Sequence, residues 1–516
     1  MKAILFVLST LALAPAALAA PPAAPVVTVG VSGIKRLQFD WASIPNSSRY
    51  ELWFRVAPGG QWAKLSETSG HGPLIRLNVS VHLLDWRTAQ YRVAACNSSG
   101  CTNSNQVGVQ DLALDAVGYL KQNFDGEGRW YGQSVAMSAD GMTAAVASAY
   151  AAGGNSLNGV VYVYRKTSAS GGWHFEVRLM PNPFRESSSQ PYTYNNALSL
   201  NADGTLIAFG RPEGGAGGTS FNGTVYLFRR NGTTWTQEKR LLGVRANDNF
   251  GKYVDLDDSG NTLAIWHRAS SGAGYGVAEI YNHTSAGWQP TATIPNPAPP
   301  GGYADCQSEA LSGDGKTLVR TCFIEGYPRV LVHKAPSWAE SARIDAGDND
   351  DIDTNFDGTL FVARRGLNFA DVYRLQQNVW SPDSGSPLDF ETNINKDSPL
   401  YTSIAMSRDG KYIAAGDADD DHGTVGPQYP PIPNAGTEAL GSVYVWERKS
   451  AGWRLRRVMK PSVAAGRTTF GNAVGISGNG HNLIVGAVDD LSGASGMHGD
   501  PADTSEPHNQ GAAWLY

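Results

Sequence analysis

Short runs in which apolar and polar residues alternate recur along most of this chain, separated by turn dipeptides. The fullest copy begins Tyr131-Gly132-Gln133-Ser134-Val135-Ala136-Met137-Ser138-Ala139-Asp140-Gly141. A second apolar run follows to Ala147. After a variable gap come Gly159-Val160-Val161-Tyr162-Val163-Tyr164 and then Trp173, which opens a short stretch to Leu179. The turn glycine recurs at Gly141, Gly204, Gly260, Gly315, Gly358, Gly410 and Gly480. The spacing averages about 56 residues, the size of one supersecondary repeat. Asp140, Asp203, Asp314, Asp357 and Asp409 precede that glycine, with Ser259 and Asn479 in the remaining copies. Period-two alternation predicts strands, Asp-Gly predicts a tight hairpin turn, and the Val- and Tyr-rich third run suits a pleated surface. Each copy therefore reads as four strands, and a four-stranded unit repeated radially is a β-propeller. The seventh copy stops at Trp514-Leu515-Tyr516, one strand short, while Val117 to Lys121 stands before the first copy without a partner. Ring closure through residues 111–122 would remove two open sheet edges.

Residues 20–110 follow another pattern. Strand-like runs at Val26–Val31, Leu37–Trp41, Tyr50–Arg55, Trp62–Leu65, Ile75–Val79 and Tyr91–Ala95 suggest a β-sandwich. Residues 1–19 read as a secretory signal: Lys2, an apolar run from Ala3 to Leu13, and Ala17-Leu18-Ala19 as the small-residue cleavage site. That run is too short to span a bilayer as a helix, and no later run is long enough. The predicted product is exported, in the periplasm, at the cell surface or in the medium. The expected fold class is all-β: sandwich at 20–110, seven-bladed propeller at 111–516.

Two resemblances refine this. Phe250-Gly251 and Phe470-Gly471, with Leu483-Ile484-Val485-Gly486-Ala487 and Gly441-Ser442-Val443-Tyr444-Val445-Trp446, resemble the FG-GAP repeat of integrin α-subunit propellers and many secreted bacterial proteins. The likeness covers roughly residues 111–516 and fades in copies four and five, which lack the Phe-Gly and Gly-Ala elements. Trp41, Tyr50-Glu51-Leu52-Trp53 and Tyr91 to Asn97 resemble a fibronectin type III domain, which implies a spacer.

The formal net charge of −6 and the lack of a Lys/Arg cluster argue against a nucleic-acid partner. The four cysteines suit an oxidising compartment. Cys96 and Cys101 flank a predicted hairpin turn, and Cys306 and Cys322 are symmetric about Asp314, so two disulfides are expected; metal binding is the rival but lacks zinc spacing. Ala310 to Thr317 nearly matches a phosphate-binding loop, yet its register makes Gly315 a hairpin turn rather than a helix start. No nucleophile-elbow or zinc-protease motif is present, so no catalytic residues are assigned and the chain is read as a non-enzyme.

Two constellations remain. Asp353, Asn355, Asp357 and Thr359 place oxygens at alternate positions about Gly358, which suits a hard cation such as calcium. The set resembles the integrin calcium hairpin but has Phe361 where the family has an acid, and a polar hairpin held by Asx turns is the alternative. The second constellation is the long connection between strands two and three in copies six and seven. The former holds Asp417, Asp419, Asp420, Asp421, His422 and Tyr429; the latter holds Asp489, Asp490, Asp500 and Asp503. Long acidic loops on a rigid scaffold are natural binding elements, or else solvated surface. The resulting expectation is an exported binding or adhesion-like protein for an extracellular protein or glycan. The alternative is a secreted polysaccharide-active enzyme or its accessory subunit, which raised-pKa carboxylates around the central channel would favour.

Overall fold

Alternation decides which side of a strand is buried where one face meets solvent, whereas inner strands such as Thr143–Ser148 and Leu206–Arg211 are buried on both faces. In Arg36–Asp40, Leu37 and Phe39 are fully buried while the residues between them are half-buried. The computed structural model describes residues 20–516 apart from 70–71, 123–129, 149–158, 183–196, 213–221, 246, 269–273, 347–350, 367–368, 391–402, 421–426, 429–439, 463–467 and 504–510. Among the described residues the regular structure is β-strand, with one short 3-10 turn at Gln110–Leu112. The signal segment 1–19 and the loop residues Asp421, His422 and Tyr429 lie outside the described residues. No described helix is long and apolar enough to cross a membrane.

The chain divides into two compact units. In the first, the sheet Thr28–Gly33, Arg36–Asp40, Leu74–Asn78 accompanies a second sheet of Ala63–Ser69, Arg49–Arg55, Gln90–Asn97 and Gly100–Asn103, with Val107–Gly108 added to Gln90–Asn97. Its buried aromatics pack in pairs, Phe39 with Tyr91 at 5.0 Å and Trp41 with Tyr50 at 4.9 Å between ring centroids. Cys96 and Cys101 are register partners across a hairpin and are disulfide-bonded.

The second unit is Ala113–Tyr516 with the short segments Gly33–Arg36 and Asn78–Leu84. Among the described residues it holds seven sheets, antiparallel except that Gly274–Tyr275 joins the fourth in parallel, numbered here in chain order by the strands Ser134–Met137, Leu198–Leu200, Val254–Leu256, Ala304–Leu311, Ile352–Thr354, Ile404–Met406 and Ala473–Ile476. Each first strand touches the next, and the seventh touches the first. Sheet seven takes its outer strand from Gly118–Leu120, which pairs with Ala512–Leu515 through Leu120 opposite Ala513 and Gly118 opposite Leu515. This radial arrangement is a β-propeller. Cys306 and Cys322 are register partners in sheet four and are disulfide-bonded.

The turns between strands one and two share one chemistry. Three residues before each turn glycine stands Ser138, Asn201, Asp257, Ser312, Asn355, Ser407 or Ser477, whose side-chain oxygen accepts backbone NH groups just after the turn. The glycine itself is left-handed in every copy, with φ between 61° and 75°, a conformation that costs a residue with a Cβ energy. Backbone hydrogen bonds then link turn to turn in a cycle. Asp140 NH donates to Ala202, Ala202 to Asp258, Asp258 to Gly313, Asp314 to Phe356, Phe356 to Arg408, Asp409 to Gly478 and Gly478 to Ala139. One end of the channel is thereby belted.

The Phe-Gly elements have a physical partner. A Cβ on Gly210 would lie 2.0 Å from the Gly251 carbonyl, one on Gly416 1.8 Å from Gly471, and one on Gly486 1.9 Å from Gly132. The second strand of one sheet thus needs glycine where the next sheet begins with Phe-Gly or Tyr-Gly. At the same offset from the turn glycine, sheets three, four and five carry Trp266, Thr321 and Arg364, and the copies after them lack Phe-Gly. Motif and counter-motif are lost together.

Candidate functional site

The first strands run along the channel with one edge unpaired, so their NH groups need acceptors there. Side chains of the preceding sheet supply them. Leu256 NH donates to Ser199 Oγ at 3.0 Å, Leu311 NH to Asp255 Oδ2 at 2.8 Å, Met406 NH to Asp353 Oδ2 at 2.7 Å, Ile404 NH to Asp351 Oδ2 at 2.7 Å and Val474 NH to Ser403 Oγ at 3.2 Å. Acidic residues on these strands are latches between neighbouring sheets.

They surround a cavity of about 140 Å³. Its charged lining comes from consecutive sheets, namely Asp255 and Asp258, Glu309, Asp353 and Arg408, while Val135, Met137, Leu198, Leu200, Val474 and Ile476 form an apolar arc. Arg408, on sheet six, reaches sheet three with Nε 3.0 Å from Asp258 Oδ1. Burial opposes its charge, but Asp255, Asp258 and Asp353 outweigh it and raise its pKa. Burial raises the pKa of Asp255 and pushes Asp353 up to about 7, against the opposing pull of Arg408.

Glu309 is different in kind. Its register position is Val135, Leu198, Val254, Ile352, Ile404 and Val474 in the other sheets. Opposite it stands Arg320, where the others carry Val146, Phe209, Ile265, Ala363, Ala415 and Val485. One apolar pair of seven has been exchanged for an ion pair, Arg320 Nε to Glu309 Oε2 at 3.5 Å, with both side chains wholly buried. Neither Glu309 oxygen has a hydrogen-bond partner. Burial raises Glu309 to about 7 despite the attraction of Arg320 and His267. This pair carried no local sequence signal; only alignment of the copies on their turn glycines exposes it.

Of the proposed calcium residues, Asn355, Asp357 and Thr359 meet in the turn, with Asn355 Nδ2 donating to Asp357 Oδ1 at 2.9 Å, while Asp353 is directed to the neighbouring sheet. Asp353 lies on a strand, with Oδ1 accepting Thr354 NH at 2.7 Å and Oδ2 taken by Met406 NH. Asn355 Oδ1 accepts the NH groups of Thr359 and Leu360, and Asp357 Oδ1 accepts Thr359 NH and its hydroxyl. These bonds are those of a polar hairpin held by Asx turns, the alternative reading of the same residues. Among the described residues, the one group of three His, Cys, Asp or Glu ligand atoms lying close together is Glu51, Cys96 and Cys101, whose sulfurs are already joined to each other.

No family pattern matches the chain, and no curated protein does. Solved structures resemble it at low identity. The β-propeller domain of Myceliophteria thermophila Cps50 (Swd1) is 11% identical, with 78% of this chain and 99% of that one covered and a TM-score of 0.47. The Dos1 propeller is 11% identical over 95% and 94%, with a TM-score of 0.41. The periplasmic gluconolactonase PpgL of Pseudomonas aeruginosa is 14% identical over 72% and 91%, with a TM-score of 0.39. Likenesses this distant say nothing of activity.

The acidic connections separate into two kinds. Asp420 and Asp490, read from sequence as presented to a ligand, are buried. Lys460 Nζ lies 3.2 Å from Asp420 Oδ2, and Lys121 Nζ lies 2.7 Å from Asp490 Oδ1. Tyr444 OH donates to Asp420 and Tyr119 OH to Asp490. Sheets six and seven thus repeat one Lys–Asp pair, joined by a Tyr hydroxyl from the third strand in sheet six and from the fourth in sheet seven, and these two carboxylates hold the fold. Asp417 is buried as well, whereas Asp419, Asp489 and Asp503 are half-buried and Asp500 is exposed. The connection from Val488 to Asp503 is tied down: Asp489 NH donates to Thr468 O, Gly493 NH to Asp503 O, His498 NH to Tyr119 O, and Lys121 NH to Gly496 O.

Proposed function

We propose that this chain is an exported, non-catalytic binding protein: a fibronectin type III-like module and a seven-bladed FG-GAP-type propeller whose strand-two to strand-three rim meets an extracellular protein or glycan. The observation that carries the reading is the tethered connection Val488–Asp503, a long surface held by backbone bonds that exposes Asp500. A pre-organised loop loses little freedom on binding. Its acidity favours a basic or cation-bridged partner. Purified mature protein is to be tested against protein and glycan panels. Asp489→Asn with Asp500→Asn should weaken an acid-dependent ligand about tenfold without lowering the melting temperature. Unchanged affinity would place the site elsewhere.

The polysaccharide-enzyme alternative draws support from Glu309 and Asp353, both near neutrality beside a cavity. Against it, both Asp353 oxygens are taken by backbone NH groups and Arg408 spans the channel, so no free acid–base pair is offered to a glycosidic bond. Reducing-sugar release from polysaccharide, lost in Glu309→Gln, would reverse this choice. Calcium in millimolar concentration is expected to leave the melting temperature unchanged. A rise that disappears in Asp353→Ala would reinstate the cation site.

A further inference from the structure

We propose that Gly33–Arg36 and Asn78–Leu84 form a strap across the closure seam of the propeller, between sheets seven and one, and that acid releases it. Both segments belong to the second unit, and Val79 NH joins them by donating to Lys35 O at 2.8 Å. The longer segment crosses three sheets. Asn78 Nδ2 donates to Ala169 O at 2.9 Å, in the hairpin between strands three and four of sheet one. His82 Nε2 lies 2.8 Å from Gly480 O in the turn of sheet seven. Arg457 Nη2, on the outer strand of sheet six, donates to Leu84 O at 3.0 Å. The shorter segment lies on sheet seven. Lys35 NH donates to Ala116 O at 2.8 Å, and Ile34 shares an apolar cluster with Leu120, Trp173 and Leu515.

A strap is needed there because this seam lacks a latch found at others. In sheets one, two, three and six a basic residue on strand three stands opposite a tryptophan on strand four: Lys166 with Trp173, Arg230 with Trp235, His283 with Trp288 and Arg448 with Trp453. In sheets two, three and six both groups meet a carboxylate of the preceding sheet. Trp235 Nε1 donates to Glu176 Oε2 at 2.8 Å, Trp288 Nε1 to Glu238 Oε1 at 3.2 Å and Trp453 Nε1 to Asp383 Oδ2 at 3.0 Å. Arg230, His283 and Arg448 sit on the same carboxylates. Glu176 directly precedes the partner of Val163, and Glu238 the partner of Leu227. In sheet seven the corresponding partner is Gly118, opposite Leu515, and the residue before it is Val117. No carboxylate is offered to sheet one from that position. Trp173 Nε1 is buried without a hydrogen-bond partner, and Lys166 Nζ turns to Asn482 Oδ1 at 3.2 Å. Lys35 Nζ donates to the same Asn482 oxygen at 2.8 Å, to His481 O at 2.8 Å and to Tyr516 O. The strap thus ties the seam through uncharged acceptors where its neighbours use an acid.

The lack of a countercharge sets the trigger. A carbonyl only accepts, so His82 Nε2 carries the proton of the neutral ring. Its Nδ1 is buried with no hydrogen-bond partner, and a second proton there would find no acceptor. Burial and the Lys35 charge push the His82 pKa down to about 3. Burial, and then the Lys166 charge, lower that of Lys35. The other charged groups around the strap are Asp140 near Lys166, and His481 with Asp409 and Lys411. Among the described residues no carboxylate bonds to Lys35 or His82. Each of the two bases holds fewer protons in the strapped state than when released. The His82 contribution is therefore full above its ordinary value of 6.5 and is lost as pH falls through about 3, and Lys35 acts in the same direction.

The test is amide hydrogen exchange on the full mature chain at about pH 7.5 and about pH 5, read by mass spectrometry on peptides that cover the strap and the sheets. After correction for intrinsic rates, opening of Gly33–Arg36 and Asn78–Leu84 should rise about thirtyfold at the lower pH, the factor for about 1.5 pH units below the ordinary histidine value. Sheets three and four should keep their protection. His82→Gln keeps a donor for Gly480 O but does not titrate, and it should remove most of the rise. Lys35→Met should open the strap at both pH values. A rise shared equally by sheets three and four, a His82→Gln protein with the parent's pH response, or a strap indifferent to Lys35→Met each overturns the proposal.

Discussion

Lys121→Ala is expected to cost about 3–5 kcal/mol, the range for stranding one partner of a buried ion pair. The Lys121 ammonium is wholly buried, 2.7 Å from an Asp490 carboxylate that is almost equally enclosed. Burial lowers the Lys121 pKa, and Asp490 only partly offsets that, so the pair exists because the chain brings both charges inside together. Removal of the ammonium leaves Asp490 with the Tyr119 hydroxyl and the Ser492 NH as its remaining donors. The loss should appear as a lowered denaturation midpoint at unchanged slope. Lys460→Ala should cost a similar amount, because Lys460 and Asp420 repeat the arrangement in sheet six. Lys121→Met with Asp490→Leu should recover most of the loss. A Lys121→Ala protein within about 1 kcal/mol of the parent would mean that the pair contributes nothing to closure.

Arg320→Ala should be as damaging, about 3–5 kcal/mol, since it leaves Glu309 buried without its countercharge. The double change Glu309→Val with Arg320→Ile installs the pair that sheet three already has in Val254 and Ile265. That variant should be far nearer the parent than the single one, and more stable than the parent if apolar packing outweighs the Arg320 bonds to the Gly276 and Pro295 carbonyls. A pH signature separates the two. The folded pKa of Glu309, about 7, lies above the ordinary glutamate value of 4.5. The folded state therefore holds the extra proton between those values, and this group's contribution to stability is full below the lower value and lost as pH rises through the upper. Relative to Glu309→Gln, the parent should gain stability as pH falls from 8 to 5. Equal pH dependence in the two proteins would show that Glu309 is charged throughout.

Much of the fold was written locally. Alternation and Asp-Gly turns mark strands because both act within a few residues, and Cys306 and Cys322 declare their pairing by symmetry about Asp314. The site was less legible for one reason: its contacts join residues in different sheets. Asn355 and Asp357 look like cation ligands when copy five is read alone, yet Ser138 with Asp140 and Ser407 with Asp409 occupy the same two positions and make the same turn. Asp353 completes the apparent ligand set only because a latch to Met406 lies two residues upstream of the turn. Asp420 and Asp490 look exposed because their lysines are remote in sequence. The signal was present in duplicate: Asp-Asp after strand two and Lys after strand four occur in both copies six and seven, at Asp419-Asp420 with Lys460 and at Asp489-Asp490 with Lys121.

The pairing of Gly118–Leu120 with Ala512–Leu515 also sets an order of events during synthesis. Leu120 meets Ala513 roughly 390 residues later in the chain, so this strand is made first and paired last. Until then its own edge is bare, the kind that recruits other chains. The entropic penalty for so long a loop grows only logarithmically, so the delay is one of waiting rather than of energy. Once Trp514 docks beside Tyr119, with the rings 5.1 Å apart, the turn-to-turn cycle has no free end from which to fray, and the finished protein should open slowly and all at once.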